Sequence, residues 1–280
     1  MKLIVKEKLP LLEYLYKYLD ISKKKIKSYL THGCILVNNS VITKYDYDLD
    51  TGMELIIDTS SRKKNSLIFD IIYEDQYIIV VNKPSGLLTI ATSKEKEKTL
   101  YHYVSSYLKE KNKNNKVFIV HRLDKETSGI VLFAKDEKTK DLFQKDWNKI
   151  VEIRGYYALV HGVLDKKKDR LVNKLLETKT NLVYVTKKDE GKVAITNYKV
   201  EKENKLYSLL KINIETGRKN QIRVQLANNK NPIVGDNKYG LKDGANKLYL
   251  VANKLVLYNP VLKKNMKFEI DINDFFKKYI

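Results

Sequence analysis

Strand-like segments dominate the chain beyond Leu67, and this pattern constrains the fold more than any other feature. Segments rich in β-branched and aromatic residues occupy 68–73, 77–82, 117–120, 130–135, 154–160, 196–201, 207–214 and 255–258. Helical periodicity is confined to residues 98–111, 137–150 and 216–229. Because strands and helices do not alternate strictly, the pattern predicts an α+β fold with a mixed, mostly antiparallel central sheet.

A polar stretch divides the chain into two blocks. Residues 59–66 (TSSRKKNS) are small or charged and have no apolar periodicity, which is typical of a linker. The sequence therefore predicts a small first domain over residues 1–58, a linker over residues 59–66 and a larger second domain over residues 67–280.

The first block has the pattern of two short helices that lead into a small sheet. Leucines at helical spacing predict the first helix, and the sequence DIS caps the second. Gly33 ends the second helix, and residues 35–42 (ILVNNSVI) predict a hairpin that turns at Asn38 and Asn39. We therefore expect a small α/β domain.

Lysines lie beside the apolar face of the second helix, at Lys23, Lys24 and Lys27. Ammonium groups and the positive end of a helix dipole both attract phosphate. The block resembles the S4 RNA-binding domain, although Ile35 replaces a usual valine and Met53 a usual acidic residue. The resemblance implies that the three lysines bind RNA. The alternative is a small helical cap whose lysines are merely solvated.

The charge balance is strongly basic. Lysine and arginine number 54 against 34 aspartate and glutamate residues, which gives a formal net charge of +20. Such an excess favours a polyanionic partner, and nucleic acid is the commonest one. Lysine greatly outnumbers arginine, however, so a nucleotide bias of the coding sequence is an alternative source of the charge.

The sequence gives no signal for a membrane span, a disulfide or a metal site. Its apolar runs, such as 77–81 and 130–134, are far shorter than the ~20 residues that span a bilayer. Charged residues and Pro10 interrupt the N-terminal stretch, so it lacks a signal-peptide core. Cys34 is the single cysteine, and no Cys/His cluster has metal-ligand spacing. We therefore expect a cytoplasmic, metal-free protein. We also expect it to be a monomer.

A polar crossing, HRLDKETSG, connects two of the predicted strands, and Asp124 lies within it, close to Arg122. On spacing alone, Asp124 has three interpretations: a nucleophile, a general base, or a turn residue whose carboxylate accepts backbone hydrogen bonds. Gly129 suits a backbone with positive φ. We interpret His121 as structural and not as catalytic.

Other clusters bear on these alternatives. The string NKPSGLL ends a strand in a turn at Lys83. The string RGYYALVHG directs Tyr156 and Tyr157 to opposite faces of a strand. The string ETGRKNQIR puts Arg218 and Arg223 at the opening of a predicted helix. Taken singly, each has a structural interpretation, as a turn, a core tyrosine or a solvated helix end.

In their order along the chain, these strings match a known family. The strings IIYED-x-x-IIVVNKPSG, HRLD-x-x-TSG, TGR-x-x-QIR and NPIVGD-x-x-YG resemble the RluA-type large-subunit RNA pseudouridine synthases over residues 68–260. Many members carry an S4-like domain in front. The resemblance implies a pseudouridine-synthase catalytic domain that isomerises uridine in structured RNA to pseudouridine without a cofactor.

The resemblance also implies roles for particular residues. Asp124 matches the catalytic aspartate, and Tyr156 matches the tyrosine that stacks on the target base. Arg223 matches the arginine that pairs with this aspartate, and Arg122 matches an arginine that fills the space left by the extruded nucleotide. The chemical step of Asp124 stays open between attack on C1′, attack on C6 and removal of a C2′ proton.

Arg218 is interpreted as a residue that contacts RNA, and Lys83 as a residue that contacts an RNA phosphate or supports the site. Four residues stand where the family often has histidine: Asn220, Gln225, Val251 and Asn259. These departures leave the catalytic residues in place, but they weaken any substrate assignment taken from a particular relative.

The target and two other protein classes stay open. By resemblance, the expected substrate is large-subunit (23S-type) ribosomal RNA, and transfer RNA is the alternative. A non-catalytic RNA-binding or assembly factor with the same fold would keep the basic surface without turnover. A glycosyl-group enzyme for a free nucleoside would need no extended basic surface.

Overall fold

The computed structural model describes residues 1–31, 33–38, 40–58, 67–93 and 95–280. The chain divides into two compact units, Met1–Leu67 and Ile68–Ile280. The predicted linker and Asn39 of the predicted hairpin turn lie outside the described residues. Within the described ranges, no helix has the length and apolar character needed to cross a membrane. The same ranges contain no group of three or more His, Cys, Asp or Glu side chains that could hold a metal ion.

The first unit contains the two predicted helices and a small sheet. Its elements are β1 (Lys2–Ile4), β2 (Leu9–Pro10), α1 (Leu11–Tyr18), α2 (Lys23–Thr31), β3 (Ile35–Val37), β4 (Ser40–Val41), β5 (Asp48–Leu49) and β6 (Glu54–Ile57). The sheet order is β1-β6-β3-β4, and β2 pairs with β5. Helix α2 buries Ile26 and Leu30 in the core, while Lys23, Lys24 and Lys27 are exposed.

The second unit is built on one large sheet. Its strands are β7 (Asp70–Glu74), β8 (Ile78–Lys83), β9 (Phe118–Ile119), β10 (Ser128–Ala134), β11 (Val151–His161), β12 (Lys168–Glu177), β13 (Val183–Thr186), β14 (Lys192–Glu203), β15 (Tyr207–Ile214), β16 (Leu250–Asn259) and β17 (Lys264–Glu269). Its helices are α3 (Leu100–Lys111), α4 (Glu137–Lys145), α5 (Trp147–Ile150), α6 (Gln221–Asn228) and α7 (Asn273–Phe276).

The strands form an 11-stranded sheet with the order β13-β12-β14-β15-β11-β16-β10-β8-β7. Strand β9 pairs with β10, and β17 pairs with β16. Among the strand pairs of the described second unit, β10 and β16 are parallel and the others are antiparallel. The predicted α+β fold with a mixed, mostly antiparallel sheet is confirmed.

Helices cover both faces of the sheet near β8 and β10. Alternate residues of these strands point to opposite sides, so Val131 packs under α3 and Leu132 packs with Phe143 of α4. Farther along the sheet, Phe276 of α7 packs on Leu159 of β11. The central strands are therefore apolar on both faces, which explains their near-continuous apolar runs.

Two helix predictions are wrong, and three strands of the second unit were not predicted. The single helix expected over residues 137–150 breaks at Asp146, whose φ of −122° and ψ of 24° are not helical, into α4 and α5. Helix α6 begins at Gln221 instead of residue 216, because Asn220 is left-handed with a φ of 53°. Strands β12, β13 and β17 were not predicted, because charged residues on their solvent face obscure the strand pattern.

Gly129 allows β10 and β16 to approach each other closely. Its φ is +116°, and it pairs with Ala252 in the parallel ladder. A Cβ atom at this position would lie 2.2 Å from the carbonyl oxygen of Ala252. The positive φ predicted for Gly129 is confirmed, and the close backbone contact is a second reason why only glycine fits.

We expect Gly129→Ala to reduce the free energy of unfolding by more than ~4 kcal/mol, or to prevent folding, because backbone atoms cannot move aside cheaply. Chemical denaturation followed by circular dichroism measures this loss. Gly244→Ala is the matched control, since Gly244 also has a positive φ (+72°) but no atom within 4 Å of an added Cβ. The control should lose only ~1 kcal/mol. Equal losses for both variants would contradict the steric explanation.

Candidate active site

Asp124 lies in the crossing between β9 and β10, four residues before β10 begins at Ser128. The main-chain N–H of Thr127 donates to the carbonyl oxygen of Asp124 at 3.2 Å, which closes a turn. Thr127 and Ser128 are both buried, and the Ser128 hydroxyl faces the carbonyl oxygen of Leu250 at 3.4 Å. The crossing is thus a turn, as its composition indicated.

Lys83 is enclosed by main-chain carbonyl groups, which contradicts its predicted contact with RNA and agrees with the alternative of a supporting role. Its side chain is fully buried, and its Nζ donates to the carbonyl oxygens of Pro84, Leu87 and Lys125 at 3.0, 2.7 and 2.9 Å. Burial lowers the pKa of Lys83 to about 7, since it desolvates the ammonium group. Lys83 instead ties the turn after β8 to the loop that carries Asp124.

Further hydrogen bonds hold the same loop. The Ser85 hydroxyl donates to the carbonyl oxygen of Glu126 at 2.6 Å. The Thr89 hydroxyl donates to the carbonyl oxygen of Leu123 at 2.7 Å and accepts the Leu123 N–H at 3.2 Å. The backbone is therefore fixed on both sides of Asp124, which pre-positions its carboxylate.

The Asp124 side chain lines a narrow cavity of about 90 Å³. Tyr156, Arg122, Arg218 and Arg223 line the same cavity. The structure therefore brings together the residues that the sequence assigned to the active site of the second unit, apart from Lys83. A carboxylate among arginines beside an aromatic ring can bind a polar planar ligand and act on it as a nucleophile or a base.

Burial raises the pKa of Asp124 above its usual value, because the carboxylate is desolvated in the cavity. The charges of Arg223 and Arg122 oppose this rise, as does the main-chain N–H of Asn220, which faces the carboxylate. Electrostatic support for the ionised form thus comes from several groups around the cavity.

Tyr156 lies in the middle of the sheet, where β11 pairs with Ile212 of β15 and Ala252 of β16. Its neighbour Tyr157 points to the opposite face and packs near Phe276 of α7. The predicted division of the two tyrosines between the faces is confirmed. Burial raises the pKa of Tyr156 to about 12, so its hydroxyl stays protonated at neutral pH.

Arg223 forms its ion pair with Asp236 and not with Asp124, which corrects the predicted pairing. Its Nε and Nη2 atoms donate to the two carboxylate oxygens of Asp236 at 2.8 and 2.7 Å. A bidentate pair requires the guanidinium and carboxylate to approach in one plane, and Asp236 meets this requirement. Arg223 therefore acts on Asp124 through its field, without an ion pair between them.

Asp236 and Tyr239 were not identified from the sequence as site residues. Asp236 is buried, and it accepts the main-chain N–H groups of Lys238 and Tyr239, each at 3.0 Å. Burial alone would raise the pKa of Asp236, but Arg223 and these N–H groups lower it. Both residues belong to the string NPIVGD-x-x-YG, which was the available signal.

Asn220 is the substituted histidine position that lies at the cavity. Its Nδ2 donates to the Tyr239 hydroxyl at 2.9 Å, and its Oδ1 accepts from Nη1 of Arg223 at 3.5 Å. Gln225 is buried elsewhere and accepts from the Thr196 hydroxyl at 2.7 Å. Asparagine at position 220 therefore joins the arginine network beside Asp124.

Arg122 and Arg218 are exposed at the cavity mouth. The Arg122 side chain makes no hydrogen bond or ion pair with another described residue, whereas Nε of Arg218 donates to the carbonyl oxygen of Val193 at 3.0 Å. Both guanidinium groups are accessible to a ligand. Their assignment to RNA binding stays a prediction.

His121 is half-buried and held by its neighbours, in agreement with a structural role. Its Nε2 accepts the N–H of Leu132 at 3.0 Å, and its ring stacks on Trp147 at a centroid distance of 4.8 Å. Burial lowers the pKa of His121 to about 4, and the nearby charge of Arg154 adds to this effect. The imidazole is therefore neutral at physiological pH.

We expect His121 to make the protein acid-sensitive. A folded pKa near 4, below the ordinary 6.5, means that the unfolded chain binds the extra proton first. The contribution of His121 to the unfolding free energy is then fully present above pH 6.5 and falls as the pH drops from 6.5 towards 4. The loss from this residue between pH 7 and pH 5 should be about 2 kcal/mol.

Urea denaturation at a series of pH values tests this expectation. The difference in unfolding free energy between wild type and His121→Gln should shrink by that amount at pH 5. His102→Gln is the matched control, since His102 is exposed on α3, and it should keep the wild-type slope. A His121→Gln profile parallel to wild type would contradict the neutral, buried imidazole.

Comparisons with known proteins identify the family of this chain. A sequence profile of the family described as RNA pseudouridylate synthase matches residues 77–228. The chain is 32% identical over 278 residues to an uncharacterized RNA pseudouridine synthase of Mycoplasma pneumoniae, covering 94% of this chain and 89% of that protein. It is 30% identical over 291 residues to ribosomal large subunit pseudouridine synthase C of Buchnera aphidicola, covering 94% and 90%.

A solved structure has the same fold. Human RNA pseudouridylate synthase domain containing 4 gives a TM-score of 0.62 at 23% identity, over 74% of this chain and 90% of that one. The profile spans the loop with Asp124, the strand with Tyr156 and the helix with Arg223. The chain belongs to the RNA pseudouridylate synthase family and is an isomerase of this class.

Proposed function

We propose that the protein isomerises particular uridines of large-subunit ribosomal RNA to pseudouridine, with Asp124 as the catalytic carboxylate. The observation that carries the role of Asp124 is its position in a narrow cavity beside Tyr156 and three arginines. The proposed RNA follows from the names of relatives, among them ribosomal large subunit pseudouridine synthase C of Buchnera aphidicola.

The reaction rearranges bonds within one nucleotide. The N1–C1′ bond breaks, the uracil turns, and C5 bonds to C1′. The hydrogen on C5 leaves as a proton and N1 gains one, so the product is an isomer and no oxidant or reductant is consumed. In this proposal the ionised Asp124 acts on the ribose or the base during the exchange, by nucleophilic attack or by removing a proton.

The target uridine must leave the RNA stack before Asp124 can reach it, which costs a few kcal/mol. Tyr156 would offset part of this cost by packing against the extruded base, since aromatic–base stacking is worth ~1–3 kcal/mol. Arg122, exposed at the cavity mouth, would enter the space that the nucleotide leaves. Arg218 beside it would hold a phosphate.

Mapping pseudouridines in cellular RNA tests the proposed target. Ribosomal and transfer RNA from cells with and without the gene are compared position by position. We expect at least one large-subunit position to lose its pseudouridine, and a plasmid copy to restore it unless Asp124 is replaced. Loss confined to transfer RNA would contradict the ribosomal target, and no loss in either RNA would contradict the proposed function.

The first unit is proposed to add RNA affinity through α2. We expect Lys23→Gln, Lys24→Gln and Lys27→Gln together to weaken RNA binding at low salt, because these lysines are exposed and close together on one helix. The slope of log affinity against log salt should fall by ~0.7–0.9 for each phosphate that the variant no longer neutralises. Filter binding over a salt series measures this slope. An unchanged slope would mean that the three lysines are solvated and do not contact RNA.

A further inference from the structure

A second cavity adjoins the one that holds Asp124. Its volume is about 330 Å³, against about 90 Å³ for the narrow cavity. The two cavities share Arg122, Tyr156 and Arg218 in their walls. Of these two cavities, Trp147, Arg154 and Lys254 line only the larger one, and the reaction proposed at Asp124 gives them no role.

The larger cavity is positively charged. Arg122, Arg154, Arg218 and Lys254 line it, and none of the described lining residues is Asp or Glu. Arg154 and Arg218 donate to main-chain carbonyl oxygens, which neutralise no charge. The Lys254 ammonium lies 3.6 Å from the Glu269 carboxylate, so its charge is partly compensated. This excess of positive charge favours an anionic group such as a phosphate.

An aromatic wall closes another side of the same cavity. Trp147 and His121 both line it, with their rings stacked at an interplanar angle of 27°. Because the His121 Nε2 accepts a main-chain N–H, the pair is held in place and adds no positive charge. A cavity with an indole on one side and guanidinium groups on another matches a nucleotide, which carries a flat base and a phosphate.

We propose that the larger cavity holds the nucleotide next to the target uridine in the RNA strand, with its base against Trp147 and its phosphate at Arg154 and Lys254. This proposal rests on the proposed function. An extruded uridine stays covalently attached to its neighbours, so the strand must continue from the narrow cavity into an adjoining space. The shared wall of Arg122 and Tyr156 makes the larger cavity that space. Trp147 then contributes to the choice of uridine through its neighbour.

Fluorescence gives a direct readout, because Trp147 is the only tryptophan of the chain. The Asp124→Asn protein, which retains Trp147, is titrated with a short oligouridylate. The same oligonucleotide with every base except the central uracil removed forms the second arm, and free uridine monophosphate forms the third. We expect quenching by the oligouridylate alone, because only that probe offers a flanking base.

Two results would overturn the proposal: equal quenching by all three probes, or no quenching when fluorescence anisotropy of an end-labelled oligouridylate shows that it binds. Equal quenching would mean that the larger cavity takes the target or a free nucleotide. The titration measures binding and needs no turnover, so its result does not depend on whether the protein forms pseudouridine. Absence of pseudouridine formation by wild type would count against that function and not against a nucleotide at Trp147.

Steady-state kinetics with wild-type protein provides the second measurement. Trp147→Ala should raise KM for RNA by roughly 5- to 150-fold with kcat nearly unchanged, the range expected for one stacked base. Trp147→Phe should recover most of the affinity. The penalty of Trp147→Ala should vanish on RNA that lacks the flanking base, and a penalty that persists there would mean a purely structural role for Trp147.

Discussion

Replacing Asp124 by asparagine is expected to reduce kcat for pseudouridine formation by at least ~10³-fold, because an amide can neither attack carbon nor remove a proton. Asparagine has nearly the same shape, and Asp124 is held mainly through its backbone and its neighbours. Folding and RNA binding should therefore be kept. Single-turnover assays and filter binding on one preparation separate the two effects. Turnover near the wild-type rate would remove Asp124 from the mechanism.

The Asp124→Asn substitution is also expected to affect the stability of the protein. Because burial raises the folded pKa of Asp124, the folded state holds its proton more tightly than the unfolded state. The resulting stabilisation is present at low pH and is lost as the pH rises through the folded pKa. At neutral pH the charged carboxylate of Asp124 therefore destabilises the folded state. Asp124→Asn should be at least as stable as wild type at pH 7, as expected where function and stability conflict.

Replacing Arg223 by glutamine is expected to cost about 3–5 kcal/mol of unfolding free energy, because it leaves Asp236 buried and unpaired. Activity should fall by at least ~10-fold in addition, since the field that favours the ionised Asp124 is lost. The acidic limb of the pH profile of kcat should move to higher pH, because the pKa of Asp124 rises further without the charge of Arg223. Urea denaturation and a pH–rate series measure the two effects separately.

A double variant distinguishes stability from activity. Arg223→Gln combined with Asp236→Asn replaces the buried ion pair by neutral amides and should recover at least ~2 kcal/mol of the lost stability. Its activity should stay low, because no positive charge returns near Asp124. Recovery of both properties would mean that Arg223 matters only for folding.

The matched control is Arg170→Gln. Arg170 also forms a bidentate pair, with Glu215 at 3.0 and 2.9 Å, but on the surface. Its loss should cost less than ~1 kcal/mol and leave the rate unchanged. A control as damaging as Arg223→Gln would show that burial is not the reason for the effect.

The resemblance to the pseudouridine synthase family predicted the gathering of Asp124, Tyr156 and Arg223, because each residue matches a site residue of that family. The sequence also predicted the turn and the positive φ of Gly129, since these depend on local chemistry. The type of sheet followed from the order of strands, which needs no knowledge of contacts. The turn and the positive φ are encoded within a few residues, so they could be predicted without knowledge of the fold.

Pairings between distant residues could not be predicted in the same way. The charge of Arg223 acts on two carboxylates, those of Asp124 and Asp236. Only Asp236 approaches the guanidinium in its plane, and this geometry decides which carboxylate Arg223 binds. Lys83 looked like a surface residue, because lysine is seldom buried, yet three carbonyl oxygens enclose its ammonium group. In both cases the three-dimensional arrangement of the chain decides the partner.

Release of tritium from RNA labelled at C5 of uridine tests the central claim most directly, because C5 loses its hydrogen only when it bonds to C1′. The substrate is ribosomal RNA from cells that lack the gene. We expect wild-type protein to release tritium in proportion to the pseudouridine formed, and Asp124→Asn to release none above background. Release by Asp124→Asn at the wild-type rate, or no release by wild type, would contradict the assignment of Asp124 as the catalytic carboxylate of an RNA pseudouridine synthase.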